Sequence, residues 1–273
     1  YIVRVRLSEY FRFGKLAKTD TNGGGGFSQV LTVNVRNRDY INKYNPRNLY
    51  PKITKLDVKE KLKNAGIPVP ETLAVFNTQK DLNNLRNVLE ALPPEKGFAI
   101  KPNNSFGGRG ITVIKQRNGD DFEKVNGEVV TLEEIKRQSE TTMDGEFTGR
   151  WLPDKPFIEE LVTTDAAMGK LSYAGLPDIR VIVFRGIPVM AMARLPTKKS
   201  NEKANLHQGA IGAGIDFITG KITNAVVAYQ KEPITQHPDN GTELVGKQIP
   251  YWKEILKIAV ASQKATGLGY AGV

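Results

Sequence analysis

A short segment rich in glycine, with a lysine at its start, constrains this sequence more than any other part. Residues 100–111 read Ile-Lys-Pro-Asn-Asn-Ser-Phe-Gly-Gly-Arg-Gly-Ile and lie between two apolar, strand-like runs. Glycines let backbone N–H groups approach phosphate oxygens closely, and Lys101 adds a charged donor. The segment is neither a Walker loop nor a dinucleotide fingerprint. An ordinary hairpin loop has the same spacing, so this segment alone leaves phosphate binding and a plain loop both open.

Composition excludes several other classes of protein. The 273 residues contain no cysteine, which excludes disulfides, thiolate zinc sites and cysteine nucleophiles. The two histidines, His207 and His237, disfavour a histidine-based metal site, and no Gly-x-Ser-x-Gly elbow is present. No run approaches the roughly 18 apolar residues of a membrane span, and the first residues lack the apolar block of a signal peptide. We therefore expect a cytoplasmic protein without a membrane partner.

The net charge of +10 is concentrated near the start of the chain. Residues 1–65 hold 14 Lys and Arg against 5 Asp and Glu. Such a cluster can bind nucleic acid, or it can be a solvated face beside an anionic substrate. No interleaved aromatic residues support base stacking, so we favour the solvated face over a nucleic-acid partner. A steep salt dependence of DNA or RNA binding would identify the other case.

Periodicity and capping signals predict an α+β chain. The predicted helices cover 55–65 (capped by Thr54), the leucines at 82, 85, 89 and 92, a short stretch after Thr131, and about 252–266. The predicted strands are 97–101, 111–115, 157–162, 223–228 and a hairpin of 178–184 with 189–195. Most of residues 117–150 are polar and hard to place. The mixture suggests an antiparallel sheet with helices on one side.

Two further groups of polar residues accompany the predicted strands. Glu159 and Glu160 follow an apolar run. This pattern suits the edge of a nucleotide pocket, where backbone groups could pair with the base. Two solvated acids at the end of a strand would give the same sequence pattern. Asp178 and Arg180 share one face of a strand because the side-chain period is 2, and Arg194 follows on the next strand. Two arginines near a lysine loop would stabilise charge on a transferred phosphoryl group. Asp178 and Arg180 could equally form a surface ion pair.

In their order along the chain, these segments resemble the ATP-grasp superfamily. The resemblance is carried by Thr54-Lys55 with Lys59, by 65–72, by 100–102 with 107–110, and by 159–162. The residues 178–180, 194 and 205–209 are similar to its RimK-type branch, the α-L-glutamate ligases, and 45–51 to the α-L-glutamate ligase-like proteins. The resemblance covers about residues 33–273. It implies an ATP-grasp fold, in which two α+β subdomains grip ATP.

The resemblance also implies the roles of individual residues. ATP binding is expected at Lys55, Lys101, Ser105, Gly107, Gly108, Gly110, Glu160, Leu161, Asp178 and Asn205. In the family, the lysines and the amide contact phosphates, the glycine loop closes over them, the Glu-Leu pair contacts adenine, and the aspartate contacts the sugar. The catalytic residues, expected to face an acyl phosphate, are Arg180 and Arg194. The family often has Arg-Ser-Asn where Lys203-Ala204-Asn205 stands here.

The same resemblance implies a division of the chain and a set of cofactors. We expect an N-terminal extension with a Gly-rich linker over 1–32, a helical lead-in over 33–95, a subdomain with the glycine loop over 96–162, and a C-terminal subdomain over 163–273. In the family, a Gly-Val like Gly272-Val273 precedes the strands that hold Mg²⁺. We therefore expect an ATP-grasp fold that is incomplete at the C-terminus, with metal ligands beyond Val273. The expected cofactors are ATP and Mg²⁺.

The implied function is that of an ATP-dependent carboxylate–amine ligase. Such an enzyme converts a carboxylate to an acyl phosphate, which an amine then attacks to form an amide or peptide bond. The expected substrates are an amino-acid or peptide carboxylate and an amine, with glutamate or another amino acid attached. Two alternatives stay open, a non-catalytic ATP-grasp scaffold that binds nucleotide and a basic nucleic-acid-binding protein. The 273 residues alone are expected to be inactive, because the metal ligands are expected beyond Val273. Phosphate release with pairs of acids and amines, in a chain extended past Val273, would separate the enzyme from the scaffold.

Overall fold

The computed structural model describes residues 35–49, 53–149, 151–228, 230 and 232–273. The predicted extension over 1–32 with its glycine run, and Tyr50-Pro51 of the segment 45–51, lie outside the described residues. Within the described part, helices combine with two β-sheets whose strand pairs are all antiparallel. The α+β class and the antiparallel pairing are thus confirmed.

The helices begin with a π-helical turn, Arg36–Tyr40, which continues into α1 (Ile41–Tyr44). The others are α2 (Lys55–Asn64), α3 (Gln79–Leu82), α4 (Leu85–Glu90), α5 (Leu132–Met143), α6 (Ala166–Lys170) and α7 (Trp252–Thr266). Capping boxes start α2, α3 and α5, at Thr54 with Asp57, Thr78 with Asp81 and Thr131 with Glu134. None of the helices in the described residues has the length and apolar character needed to cross a membrane.

The leucine-rich region differs from its prediction. Instead of one helix over 82–92, it forms the two short helices α3 and α4, which are separated at Asn83 and Asn84. Asparagine favours helix ends because its side chain competes for backbone hydrogen bonds. The leucine spacing still has the predicted effect, since three of the leucines are almost fully buried: Leu82, Leu85 and Leu89.

The first sheet has the strand order β1-β6-β2-β3-β4-β5. Its strands are β1 (Thr72–Val75), β2 (Phe98–Pro102), β3 (Thr112–Asn118), β4 (Asp121–Lys124), β5 (Val129–Thr131) and β6 (Pro156–Glu160). One face packs with α3, α4 and α5 in a buried cluster that includes Phe98, Ile100 and Ile158. Because successive side chains alternate between faces, Lys101 and Glu159 lie on the opposite face.

The second sheet has the strand order β10-β9-β8-β7-β11. Its strands are β7 (Asp178–Phe184), β8 (Ile187–Leu195), β9 (Ile211–Ile215), β10 (Ile222–Val227) and β11 (Tyr270–Gly272). The predicted hairpin of β7 and β8 is confirmed, with Arg185-Gly186 at its turn. One face packs against α7 through residues such as Val181 and Ala193. Asp178 and Arg194 lie directly opposite each other on the other face.

Several short strands escaped the sequence analysis. β4 and β5 lie in the polar stretch that could not be placed, and β9 carries glycines at Gly212 and Gly214, which weaken its strand pattern. β1 falls in the predicted helical lead-in, yet it pairs with β6. The first sheet therefore includes residues that precede the predicted subdomain start at residue 96.

Asn45 ties the N-terminal helical segment to the edge of the second sheet. Its Nδ2 donates to the Tyr270 carbonyl at 2.9 Å, and its Oδ1 accepts from the Tyr270 N–H at 2.8 Å. Asn45 is only 4% exposed. Beside it, the rings of Tyr44 and Phe184 pack edge to face with their centroids 4.7 Å apart. These contacts fix α1 against β11.

Replacing Asn45 by alanine should destabilise the protein. The Asn45→Ala substitution leaves the N–H and the carbonyl of Tyr270 without these partners, at a cost of about 1–3 kcal/mol in the free energy of unfolding. Asn37→Ala, at an exposed position of the π-helical turn, is the matched control and should change stability by less than about 0.5 kcal/mol. Urea unfolding measures both. Equal stability of the two variants would contradict the role given to Asn45.

Candidate functional site

The N-terminus of α2 is docked on the start of the glycine-rich loop, which we define as residues 103–110. The N–H of Lys55 donates to the Asn103 carbonyl at 3.2 Å, and the N–H of Leu56 donates to the Asn103 Oδ1 at 2.9 Å. Asn103 thereby satisfies two of the N–H groups that a helix start leaves free. Lys55 Nζ donates to the Ser105 carbonyl at 2.8 Å and to its hydroxyl at 3.1 Å. Two predicted ATP-binding residues, Lys55 and Ser105, are therefore in direct contact.

A buried carboxylate lies between two lysines next to this loop. Glu159 of β6 pairs with Ala99 of β2, which makes Lys101 its diagonal neighbour on the same face. One carboxylate oxygen of Glu159 accepts from Lys101 Nζ, and the other accepts from Lys59 Nζ at 2.6 Å. Glu159 is 4% exposed. Lys59 lies one turn after Lys55 on α2, so both lysines project from the same side of the helix.

Lys59 and Glu159 were not among the predicted site residues. The spacing of Lys55 and Lys59 was a usable signal, since residues four apart share a helix face. Glu159, and not Glu160, lies on the face of Lys101 because of the register between β6 and β2, which the sequence alone does not give. The Glu160 carboxylate instead accepts the Glu71 N–H at 2.8 Å.

Burial brings the titration of Lys55 closer to neutral pH. It lowers the pKa of the Lys55 amine from 10.5 to about 8, while Asp154 and Glu159 favour the charged form and Lys101 opposes it. An anion beside this amine would favour its protonation. Anion binding and proton binding at Lys55 are therefore coupled near pH 8.

The glycine-rich loop is fixed at both ends. Asp154 accepts the Asn104 N–H at 2.7 Å, and Gln138 of α5 donates to the Gly110 carbonyl at 2.8 Å. Gly110 has φ +68°, and a Cβ there would lie 2.5 Å from the Phe147 ring, so only glycine fits. Gly107 and Gly108 also have positive φ, at +67° and +75°. The loop can thus present its backbone N–H groups to a ligand while both of its ends are held in place.

On the second sheet, an aspartate and two arginines lie side by side. Arg194 Nε donates to Asp178 Oδ1 at 2.5 Å, and its Nη2 donates to Oδ2. Arg180 Nη1 donates to the Gly272 carbonyl at 2.8 Å. Burial lowers the pKa of Arg180, Arg194 lowers it further, and Asp178 raises it. Asp178 was expected to contact a nucleotide sugar. Both carboxylate oxygens of Asp178 already accept from Arg194, so a sugar hydroxyl would have to donate to the remaining lone pairs of these oxygens.

Asn205 connects the two sheets at the glycine-rich loop. It follows β8, and its Nδ2 donates to the Gly107 carbonyl at 3.3 Å. Its Oδ1 accepts the His207 N–H at 3.0 Å, which fixes the orientation of the amide. The glycine-rich loop, which belongs to the first sheet, therefore contacts Asn205, a predicted phosphate-binding residue of the second sheet.

The predicted adenine hinge follows Glu159 on the first sheet. The N–H of Glu160 donates to the Glu71 carbonyl at 3.0 Å, and the N–H of Leu161 donates to the Gly97 carbonyl at 3.2 Å. Any backbone contact from Glu160 or Leu161 to a base would therefore use their carbonyl groups.

Within the described ranges, clusters of acidic side chains are not found for the Mg²⁺ ion that the resemblance implies. Across the described part of the chain, no group of three or more His, Cys, Asp or Glu side chains could hold a metal ion. The buried carboxylate of Glu159 is paired with two lysines, and that of Asp178 is paired with Arg194. These two acids serve as counter-ions to basic side chains.

Comparison with models of known protein families identifies a family that matches this sequence. A family model described as sugar-transfer associated ATP-grasp matches residues 35–273. No curated protein matches the sequence.

Solved structures give weaker similarities. The D-cycloserine synthetase DcsG is 15% identical with a TM-score of 0.41, over 81% of this chain and 54% of its own. The ATP-grasp ligase PsnB with a minimal precursor is 19% identical with a TM-score of 0.38, over 84% and 49%. A D-alanine–D-alanine ligase from Bacillus anthracis is 15% identical with a TM-score of 0.38, over 81% and 51%. This chain spans about half the length of these structures, and values this low assign no activity.

The family match covers most of the chain. It confirms the ATP-grasp part of the resemblance and the ATP-grasp fold, while the RimK-type branch stays a prediction. The chain belongs to the sugar-transfer associated ATP-grasp family.

Proposed function

We propose that this chain binds ATP between its two sheets and uses it to join a carboxylate to an amine. The observation that carries the proposal is the contact set in which Lys55 and Ser105 meet on one side of the glycine-rich loop and Asn205 meets Gly107 on the other. Phosphate oxygens are suited to such a place, because they accept both from charged amines and from backbone N–H groups of glycines. The family match supports this reading.

The proposed reaction has two steps. A carboxylate oxygen attacks the γ-phosphorus of ATP, the bond to the β–γ bridging oxygen breaks, and ADP leaves with that electron pair. The amine nitrogen then attacks the acyl carbon, phosphate leaves with the electron pair of the C–O bond, and the nitrogen loses a proton. The protein contributes positioning and charge stabilisation to both steps.

Arg180 and Arg194 are the proposed catalytic residues. Each guanidinium has five N–H donors, of which Gly272 takes one from Arg180 and Asp178 takes two from Arg194. The remaining donors can stabilise the negative charge of an acyl phosphate. Because Asp178 holds Arg194 in place, little side-chain entropy is lost when the substrate arrives.

The remaining assignments follow the resemblance. Glu160 and Leu161 are proposed to contact adenine, and Asp178 the sugar. The glycines Gly107, Gly108 and Gly110 are proposed to cover the phosphates together with Lys101. Glutamate or another amino acid is proposed as the amine, following the resemblance to the RimK-type ligases. The Mg²⁺ cofactor stays a prediction of the resemblance.

Removing Lys101 should weaken ATP binding and, with it, turnover. A charge-assisted hydrogen bond contributes about 1.5–3 kcal/mol, so Lys101→Ala should weaken ATP binding by roughly ten- to a hundredfold. Lys115→Ala removes an exposed lysine of the neighbouring strand β3 and serves as the control. Calorimetric titration of ATP and release of ADP with pairs of acids and amines measure both variants. Unchanged ADP release by Lys101→Ala would refute the role of Lys101.

The affinity for ATP should fall as the pH rises through about 8. Below that value Lys55 is charged and ready to pair with phosphate; above it, each binding event must first protonate the amine. The affinity should then fall by up to about tenfold per pH unit. Lys55→Arg should remove this dependence, because arginine stays charged in this range. Titrations between pH 7 and 9.5 measure the effect, and identical pH profiles for the two proteins would contradict it.

A further inference from the structure

One lysine of the buried ion-pair cluster has no role in the proposed chemistry. Lys59 of α2 donates to one carboxylate oxygen of Glu159 at 2.6 Å, and Lys101 of β2 donates to the other oxygen. Lys101 is proposed to contact the phosphates of ATP, whereas Lys59 is not among the predicted site residues. An acid that a single lysine could neutralise is therefore bonded to two.

Lys59 is held against the first sheet by two residues of β6. Besides its bond with Glu159, its Nζ lies over the Phe157 ring, 5.5 Å from the ring centroid. Phe157 and Glu159 are two residues apart on the strand, so they share one face of it. An amine over an aromatic face gains a cation–π attraction in addition to its ion pair. Lys59 is therefore a firmly held partner of Glu159.

Lys101 is the more accessible of the two partners. Its side chain is 27% exposed, against 14% for Lys59 and 5% for Glu159. Lys101 also lies two residues before the start of the glycine-rich loop. A lysine amine has three N–H donors, so Lys101 can give one to Glu159 and another to an anion at the loop.

Glu159 and a bound phosphate would compete for Lys101. The carboxylate attracts the amine and repels a second anion beside it, and both effects oppose phosphate binding. A buried carboxylate that loses its last partner destabilises the protein by more than one charge-assisted hydrogen bond stabilises it. Glu159 can therefore release Lys101 to a phosphate only if another cation remains beside the carboxylate.

We propose that Lys59 is a positioning residue that keeps Glu159 neutralised, so that Lys101 is free to bind the phosphates of ATP. This inference rests on the proposed function, which assigns Lys101 to those phosphates. Lys59 stays with Glu159 throughout, while Lys101 divides its donors between Glu159 and the nucleotide. Lys59 thus acts on ATP binding through Lys101.

Removing the charge of Lys59 tests the proposal on the 273-residue chain. Lys59→Met leaves Glu159 to Lys101 and should weaken ATP binding at least fivefold in a calorimetric titration. Lys63→Met removes the same charge from an exposed position of α2 and should change the affinity less than twofold. Lys59→Arg keeps the charge and should bind ATP within twofold of the unsubstituted chain. Equal affinities of Lys59→Met and Lys63→Met would overturn the proposal.

A second substitution distinguishes positioning from a general loss of charge. Glu159→Gln removes the competing carboxylate, so it should raise the ATP affinity of the Lys59→Met variant at least fivefold. In the chain that retains Lys59, the same change removes the anchor of two lysines and should not raise the affinity. If Glu159 acted only by general repulsion, Glu159→Gln would raise the affinity by the same factor in both backgrounds. That result, or a double variant that binds ATP no better than Lys59→Met, would overturn the proposal.

Urea unfolding checks that each variant keeps its fold. If Lys59→Met does not fold, Lys59→Gln replaces it with the same expected loss, because glutamine keeps a donor for Glu159 but not the charge. Failure of the unsubstituted chain to bind ATP would refute the proposed function, and this inference with it. ATP binding that depends on Lys101 but not on Lys59 would refute this inference alone and leave the proposed function intact.

Discussion

The carboxylate of Glu159 is bonded to lysines from two different elements, and the arrangement of the site depends on it. Lys101 comes from the neighbouring strand β2 and Lys59 from helix α2, so one acid fixes the helix against the sheet. Breaking a buried ion pair by removing one partner costs about 3–5 kcal/mol, since the other charge is left unpaired. Glu159 therefore holds the lysines in place, and Lys55 follows because it lies one turn from Lys59.

Helix α2 carries several residues of the proposed phosphate site. Its N-terminus is docked on Asn103, Lys55 meets the glycine-rich loop, and Lys59 meets Glu159. The contact of Asn205 with Gly107 closes the same arrangement from the second sheet. Phosphate transfer requires its reactants in one fixed geometry, and these contacts hold the residues of the proposed phosphate site in place.

Local signals predicted much of the fold, and tertiary pairing decided the rest. The three capping boxes and the β7–β8 hairpin are visible in the sequence because each depends on residues close together in the chain. Strand β9 was missed because its glycines hide the alternation, and the break in the leucine helix was missed at Asn83-Asn84. In the site, Lys55 and Asn205 followed from resemblance. The pairing of Glu159 with two lysines depends on how β6 lies beside β2 and α2, which no local pattern specifies.

Hydrogen exchange with and without ATP tests the central claim most directly, that basic side chains and the glycine-rich loop enclose the phosphates between the sheets. Backbone amides of residues 103–110 and 205–209 should become protected together as ATP is added, because both segments would contact one ligand. The β3–β4 turn at Gly119 should not change. Protection of only one of these segments, or of neither at saturating ATP, would contradict the account.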